Sequence, residues 1–139
     1  MNERAEGSKL RVLVVDDNVD GADSFSVLLQ ALDCITSVAY NGPQALSNAS
    51  TFDPHLAFVD LEMPGMSGRE VVRLLRANHP DRDVRLVCLT GRDFPEERRL
   101  CLEAGFHDFM AKPMAPSMLA EMIGAAQARL GPSTGQQFG

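Results

Sequence analysis

Five side chains capable of chemistry close four apolar runs of this 139-residue sequence. Asp16 and Asp17 follow VLVV, Asp60 follows LAFV, Thr90 follows LVCL and Lys112 follows FMA. Brought together, three carboxylates, a hydroxyl and an ammonium would make a pocket suited to a phosphoryl group. Carboxylates crowded into one site repel each other, and burying them unpaired is costly. A divalent cation relieves that repulsion. Mg²⁺ takes hard oxygen ligands and keeps waters for a phosphate. With no Cys/His cluster in the sequence, Mg²⁺ is the expected ion and Mn²⁺ its alternative. Asp60 is the candidate nucleophile, because a carboxylate can form an acyl phosphate. Transfer then depends on positioning and charge neutralisation, to which Lys112 and a Thr90 hydrogen bond would contribute.

The elements that must position these groups are legible as an alternation. Near-continuous apolar runs at residues 10–16, 34–40, 56–60, 84–90 and 106–112 suit parallel strands covered on both faces. Helical patterns lie between them. Phe25, Leu28, Leu29 and Leu32 form one apolar stripe, and Ser67 with Glu70 has the spacing of a capping box. Residues 96–104 form a fourth helix ended by Gly105, and Leu119, Met122, Ile123, Ala126 and Leu130 give the last helix its buried face. The expectation is an α/β fold of (βα)₅ type, a flavodoxin-like doubly wound parallel sheet of five strands in the order 2-1-3-4-5. In such a sheet ligands bind beyond the carboxyl ends of the strands, where the five reactive side chains fall. Residues 1–9 are expected to be a flexible segment, 10–130 the domain, and 131–139 a disordered tail.

Composition narrows the function. A net charge of −6 and scattered basic residues argue against nucleic acid. Arg73 with Arg76, and Arg98 with Arg99, read as solvated helix faces. No apolar run is long enough to cross a bilayer and no secretory signal opens the chain, so a cytoplasmic location without membrane contact is expected. Cys34, Cys88 and Cys101 have no metal-ligand spacing and read as structural thiols. His55, His79 and His107 stand at element edges and read as surface residues.

The motifs VLVVDDN, VDLEMPGMSG, LT before Gly91, and Lys112-Pro113 together resemble the signature set of response-regulator receiver domains, over residues 11 to 130. The resemblance implies that Asp60 accepts a phosphoryl group from a histidine kinase or histidine phosphotransfer protein. Asp17 matches the direct metal ligand, Asp16 the second acid, and Glu62 the position whose backbone carbonyl faces the metal. Lys112 matches the phosphate-binding lysine, and Lys112-Pro113 the family's cis peptide. Thr90 and Phe109 match the two switch positions; the family often has Tyr where this chain has Phe109. Glu62 and Arg92 correspond to positions that tune phosphoryl lifetime. A downstream protein would read the surface of helix 4, strand 5 and helix 5. The family carries out Mg²⁺-dependent self-phosphorylation and slow self-dephosphorylation only, and is not an enzyme acting on a separate substrate.

Plainer readings stand beside these. Asp16 and Asp17 could cap the following helix, and Phe109 could simply pack. Met114, Met118 and Leu102 read as core before partner surface. A haloacid-dehalogenase-type enzyme would place its nucleophile after the first strand. An FMN binder would need a Ser/Thr/Gly-rich loop where this chain has DDNVD. A phosphorylation-independent binding module, or a receiver excised from a hybrid histidine kinase, remain as alternatives.

Overall fold

A computed structural model of the chain describes residues 9–91 and 95–130. Five parallel strands, β1 (Arg11–Val15), β2 (Ile35–Ala39), β3 (Leu56–Asp60), β4 (Arg85–Thr90) and β5 (Asp108–Ala111), pair in the order β2-β1-β3-β4-β5. Five helices alternate with them: α1 (Val19–Ala31), α2 (Gly42–Phe52), α3 (Gly68–Asn78), α4 (Pro95–Ala104) and α5 (Pro116–Leu130). This is the architecture the alternation predicts. The flanking segments 1–8 and 131–139, for which flexibility and disorder are expected from composition, lie outside the described residues.

Two-residue periodicity explains why the strands read as unbroken apolar runs. Successive side chains point to opposite faces, and here both faces are covered. Leu13, Val15, Ala57, Val59, Leu86 and Cys88 belong to a core under α2, α3 and α4. Val12, Val14, Leu56, Phe58, Val87 and Leu89 belong to a second core under α1 and α5, where Phe25 meets Phe58 edge-to-face at 5.0 Å. All three cysteines are buried free thiols, and burial raises the Cys34 pKa to about 11.

Helix starts follow their local chemistry. Ser67 and Glu70 form the expected capping box at α3, with reciprocal bonds of 3.2 and 3.3 Å. Asn41 caps α2 and Asn18 caps α1. The α1 stripe differs from the sequence expectation. Leu28 is exposed and Leu32 is the C-cap, while Ala22, Ser26 and Leu29 are buried. The reason is polar: the Ser26 hydroxyl shares a 2.7 Å hydrogen bond with Thr36 of β2, and Gln30 donates to the Thr36 hydroxyl at 2.9 Å. At the other end of this seam the Tyr40 hydroxyl donates to Asp23 at 2.6 Å.

His107 is exposed, as the surface reading has it, and His55 is half-buried, yet both rings are engaged. His55 and His107 each precede a strand, and each ring Nδ1 accepts a backbone N–H from the neighbouring strand. Arg11 donates to His55 at 2.9 Å and Leu86 donates to His107 at 2.9 Å. Imidazoles thus complete the hydrogen-bond ladder at the amino edge of the sheet, where the backbone alone runs out of acceptors. Burial lowers both pKa values. At His55 Arg11 adds to the effect and Asp53 opposes it. At His107 Arg85 and Arg76 add to it, while Asp108 and Asp83 oppose it. Arg73, Arg76, Arg98 and Arg99 are all exposed, as the solvated-face reading has it; on the α4 face Arg99 also pairs with Glu96 and Glu103, and Arg98 covers Phe109.

A protonated imidazole cannot accept at Nδ1, so folding favours the neutral rings. Their contribution is complete above the ordinary histidine pKa and is lost as pH falls through the lowered folded-state values. Urea unfolding is expected to show a smaller loss of stability between pH 7 and 5 in a His55→Asn/His107→Asn variant than in the parent. The difference amounts to about 1 kcal/mol for the half-buried His55 and less for the exposed His107.

Candidate functional site

Along the carboxyl edge of the sheet, four of the five strands deliver the named groups: Asp16 and Asp17 after β1, Asp60 at the end of β3, Thr90 at the end of β4 and Lys112 after β5. β1 ends at Val15, and the Asp16 amide still bonds the Ala39 carbonyl at 3.1 Å, which holds Asp16 in line with the strand. Asp16 and Asp60 are 7% and 6% exposed, whereas Asp17 is open to solvent. One carboxylate oxygen from each of the three lies within 4.8 Å of the others. Helix capping does not explain Asp16 and Asp17. Asn18 is the cap, accepting from Gly21 at 2.9 Å, and its own N–H donates to Asp16 Oδ1 at 3.0 Å.

β5 brings in the cation. Thr90 pairs in register with Ala111, and the next amide, that of Lys112, donates to the Thr90 carbonyl at 2.9 Å. Lys112 Nζ then stands 3.2 Å from Asp16 Oδ2 and 3.3 Å from Asp60 Oδ1. The Lys112–Pro113 peptide is cis. The Glu62 amide donates to the same Asp60 oxygen at 3.4 Å. Ammonium and amide therefore converge on Oδ1 of Asp60.

Electrostatics in this pocket pull in opposite directions. Burial first and then Asp16 raise the Asp60 pKa, Lys112 and the Glu62 amide oppose them, and the net value is about 6. For Lys112, burial alone would lower the pKa, but Asp60 and Asp16 outweigh it and the net direction is up. The pocket thus favours the charged ammonium and holds Asp60 above the ordinary carboxylate range. Three oxygen donors converge with no sulfur or imidazole among them, a set that could hold a hard divalent cation.

The structure brings Asp16, Asp17, Asp60 and Lys112 together, with the buried Thr90 at the adjoining strand end. The Glu62 side chain is exposed at the pocket's edge. Phe109 is not in the pocket. It pairs with Cys88 two residues before the Thr90–Ala111 level, half-buried between β5 and α4. Arg92 falls outside the described residues.

Two glycines went unnoticed in the sequence. A Cβ at Gly68 would stand 2.4 Å from the Asp60 carbonyl oxygen, so α3 begins directly against the backbone of the acidic residue. A Cβ at Gly42 would meet Met66 Sδ at 2.5 Å, so that turn seats the loop after β3. The signal for Gly68 was its place straight after the Ser67 cap; for Gly42 there was none.

The sequence profile of the family described as response regulator receiver domain matches residues 12–124. The DNA-binding response regulator MtrA of Mycolicibacterium paratuberculosis is 37% identical over 120 residues, 86% of this chain and 51% of that protein. The hybrid signal transduction histidine kinase L of Dictyostelium discoideum is 33% identical over 129 residues, 87% of this chain and 8% of that protein. The chemotaxis protein CheY4 of Vibrio cholerae superposes with a TM-score of 0.80 at 25% identity, covering 85% of this chain and 98% of that one. The chain thus spans about half the length of curated relatives such as MtrA. Those relatives are named as DNA-binding at full length, so they lend no support to the expectation that nucleic acid is excluded. No helix among the described residues is long and apolar enough to cross a membrane.

A carboxylate whose pKa is raised on folding costs stability once ionised, and the cost grows as pH rises through the folded-state value. Asp60→Asn, which removes that charge, is expected to stabilise the cation-free protein at pH 7.5 by about 1–3 kcal/mol. The gain disappears below the ordinary Asp pKa and shrinks when Mg²⁺ is added to both proteins. Urea unfolding in chelator and in Mg²⁺ measures both effects.

Proposed function

Because this chain belongs to the response regulator receiver domain family, we propose that Asp60 is its phosphoacceptor and that the pocket works with Mg²⁺. The observation that carries the reading is the Lys112 ammonium set between the buried Asp16 and Asp60 carboxylates. A histidine kinase or histidine phosphotransfer protein is the donor. An Asp60 carboxylate oxygen attacks phosphorus, the bond from phosphorus to the donor's imidazole nitrogen breaks, and that nitrogen keeps the electron pair. With Lys112 and the Glu62 amide on Oδ1, Oδ2 is the oxygen presented for attack. Asp16, Asp17, Asp60 and the Glu62 carbonyl are the residues that would hold the metal, which when bound supplies positive charge to the phosphoryl oxygens. Lys112 supplies the second positive charge and Thr90 a hydroxyl at the same strand end. The chemistry is self-phosphorylation and slow self-dephosphorylation, with no separate substrate.

Thr90 and Phe109 serve as the switch pair in this reading, and phosphorylation shifts a pre-existing equilibrium. Thr90 is two residues from Cys88 on β4, and Cys88 pairs with Phe109, so all three side chains face the same side of the sheet. The surface of α4, β5 and α5, where Leu102 and Met118 are each 55% exposed, is the face presented to a downstream protein. A cytoplasmic location belongs to the same proposal.

Intact-protein mass after incubation with acetyl phosphate and Mg²⁺ provides the test. A gain of ~80 Da, one phosphoryl group, is expected in the wild type, and loss of that gain in Asp60→Ala and in chelator. Lys112→Ala is expected to slow the gain at least tenfold. A gain that survives in Asp60→Ala overturns the acceptor assignment.

A further inference from the structure

Two adjacent arginines of α4 each engage a neighbouring group. Arg99 lies between Glu96 and Glu103, its guanidinium 2.6 Å from the latter carboxylate. Arg98 sets its guanidinium carbon 5.0 Å from the centroid of the Phe109 ring on β5. That ring also packs against the core beneath α3 and α4. It stands at the border of the sheet, between a buried strand neighbour, Cys88, and a charged, exposed cover. An open groove of about 380 Å³ runs past it, lined by Asp108, Met118 and Met122 among others, so the ring has an open side along the surface.

We propose that Arg98 is a clamp on Phe109: its guanidinium holds the ring at the α4–β5 surface and so sets how readily the ring turns inward toward Thr90. The inference rests on the reading of Thr90 and Phe109 as the switch pair. Phenylalanine has no hydroxyl with which to hold a surface position. A cation over its face does that job here through the ring quadrupole, which attracts positive charge. An inward ring leaves the guanidinium without that face, so each inward excursion breaks the contact. At an exposed site such a contact biases a two-state equilibrium about two- to fivefold. Arg98 acts through Phe109 and touches no reacting atom, so it is a positioning residue. Lysine should substitute poorly, because its compact ammonium lacks the flat stacking surface of the guanidinium.

The test uses the full chain with ¹³C-labelled phenylalanine side chains, Phe109 being assigned through Phe109→Leu. Spectra are recorded with Mg²⁺ alone and with Mg²⁺ and beryllofluoride as the phosphoryl stand-in. The wild-type Phe109 resonance is expected to move on beryllofluoride addition. In Arg98→Ala the resting resonance should already lie part-way to the loaded position, with an inward fraction about two to five times larger and the same loaded end-point. Arg98→Lys should fall between Arg98→Ala and the wild type. Phosphorylation by acetyl phosphate, read by mass, should be about two- to fivefold faster in Arg98→Ala, since more of the protein occupies the receptive state. If wild-type Phe109 moves while Arg98→Ala changes neither the resting resonance nor the rate, the clamp is wrong and the switch pair stands. If Phe109 does not move in wild-type protein that binds beryllofluoride, the switch reading itself fails and the clamp with it.

Discussion

One ammonium makes the carboxyl edge of this sheet tenable. Asp16 and Asp60 are both buried, and neither could be held ionised in a dry strand end without a countercharge. Lys112 reaches both, from a strand that is third in line from β1. Its position follows from pairings that pass from β1 through β3 and β4 to β5, and from the amide bond that fixes Lys112 to the end of β4. Much of the fold can be understood as the apparatus that carries that ammonium to that place. The balance is incomplete: among the described residues one cation faces three carboxylates, a set of donors that could hold a metal.

The sequence disclosed this arrangement well because the strands are buried on both faces. Burial on two sides forces unbroken apolar runs, and an acid or amine at the end of such a run stands out sharply. Asp60 after LAFV and Lys112 after FMA are legible for that reason. The capping box at α3 was legible because two side chains at fixed spacing complete it locally. What escaped notice depends on contacts between distant segments. Leu28 looked interior because it is leucine, yet α1 turns a serine inward to meet Thr36 of an edge strand. The acceptor roles of His55 and His107 were not legible, because nothing local shows that a neighbouring strand lacks an acceptor. Gly68 follows the Ser67 cap, but that place alone does not reveal that the Asp60 carbonyl lies where its side chain would be.

The two edges of the sheet solve the same problem in different ways. At the amino edge, strand amides left without backbone partners are taken up by imidazole nitrogens, and the charges there are matched, Arg11 with Asp53 and Arg85 with Asp108. At the carboxyl edge the closure consists of charges. Neutral bonds satisfy a buried backbone and ask for nothing more, whereas an uneven set of charges keeps an appetite for ions. Among the described residues the uneven charge therefore gathers at one end of the sheet, and the other end serves to keep the strands in register.

The α1–β2 seam has a further property. Tyr40 is the single tyrosine of a chain without tryptophan, and its hydroxyl is held by Asp23 of α1. Asp23 lies on the helix that begins just after Asp16 and Asp17. Hydrogen bonding of a phenol to a carboxylate quenches its emission. Excited in the tyrosine band, where phenylalanine does not absorb, this protein therefore gives a one-site optical signal that brightens when α1 draws away from the end of β2.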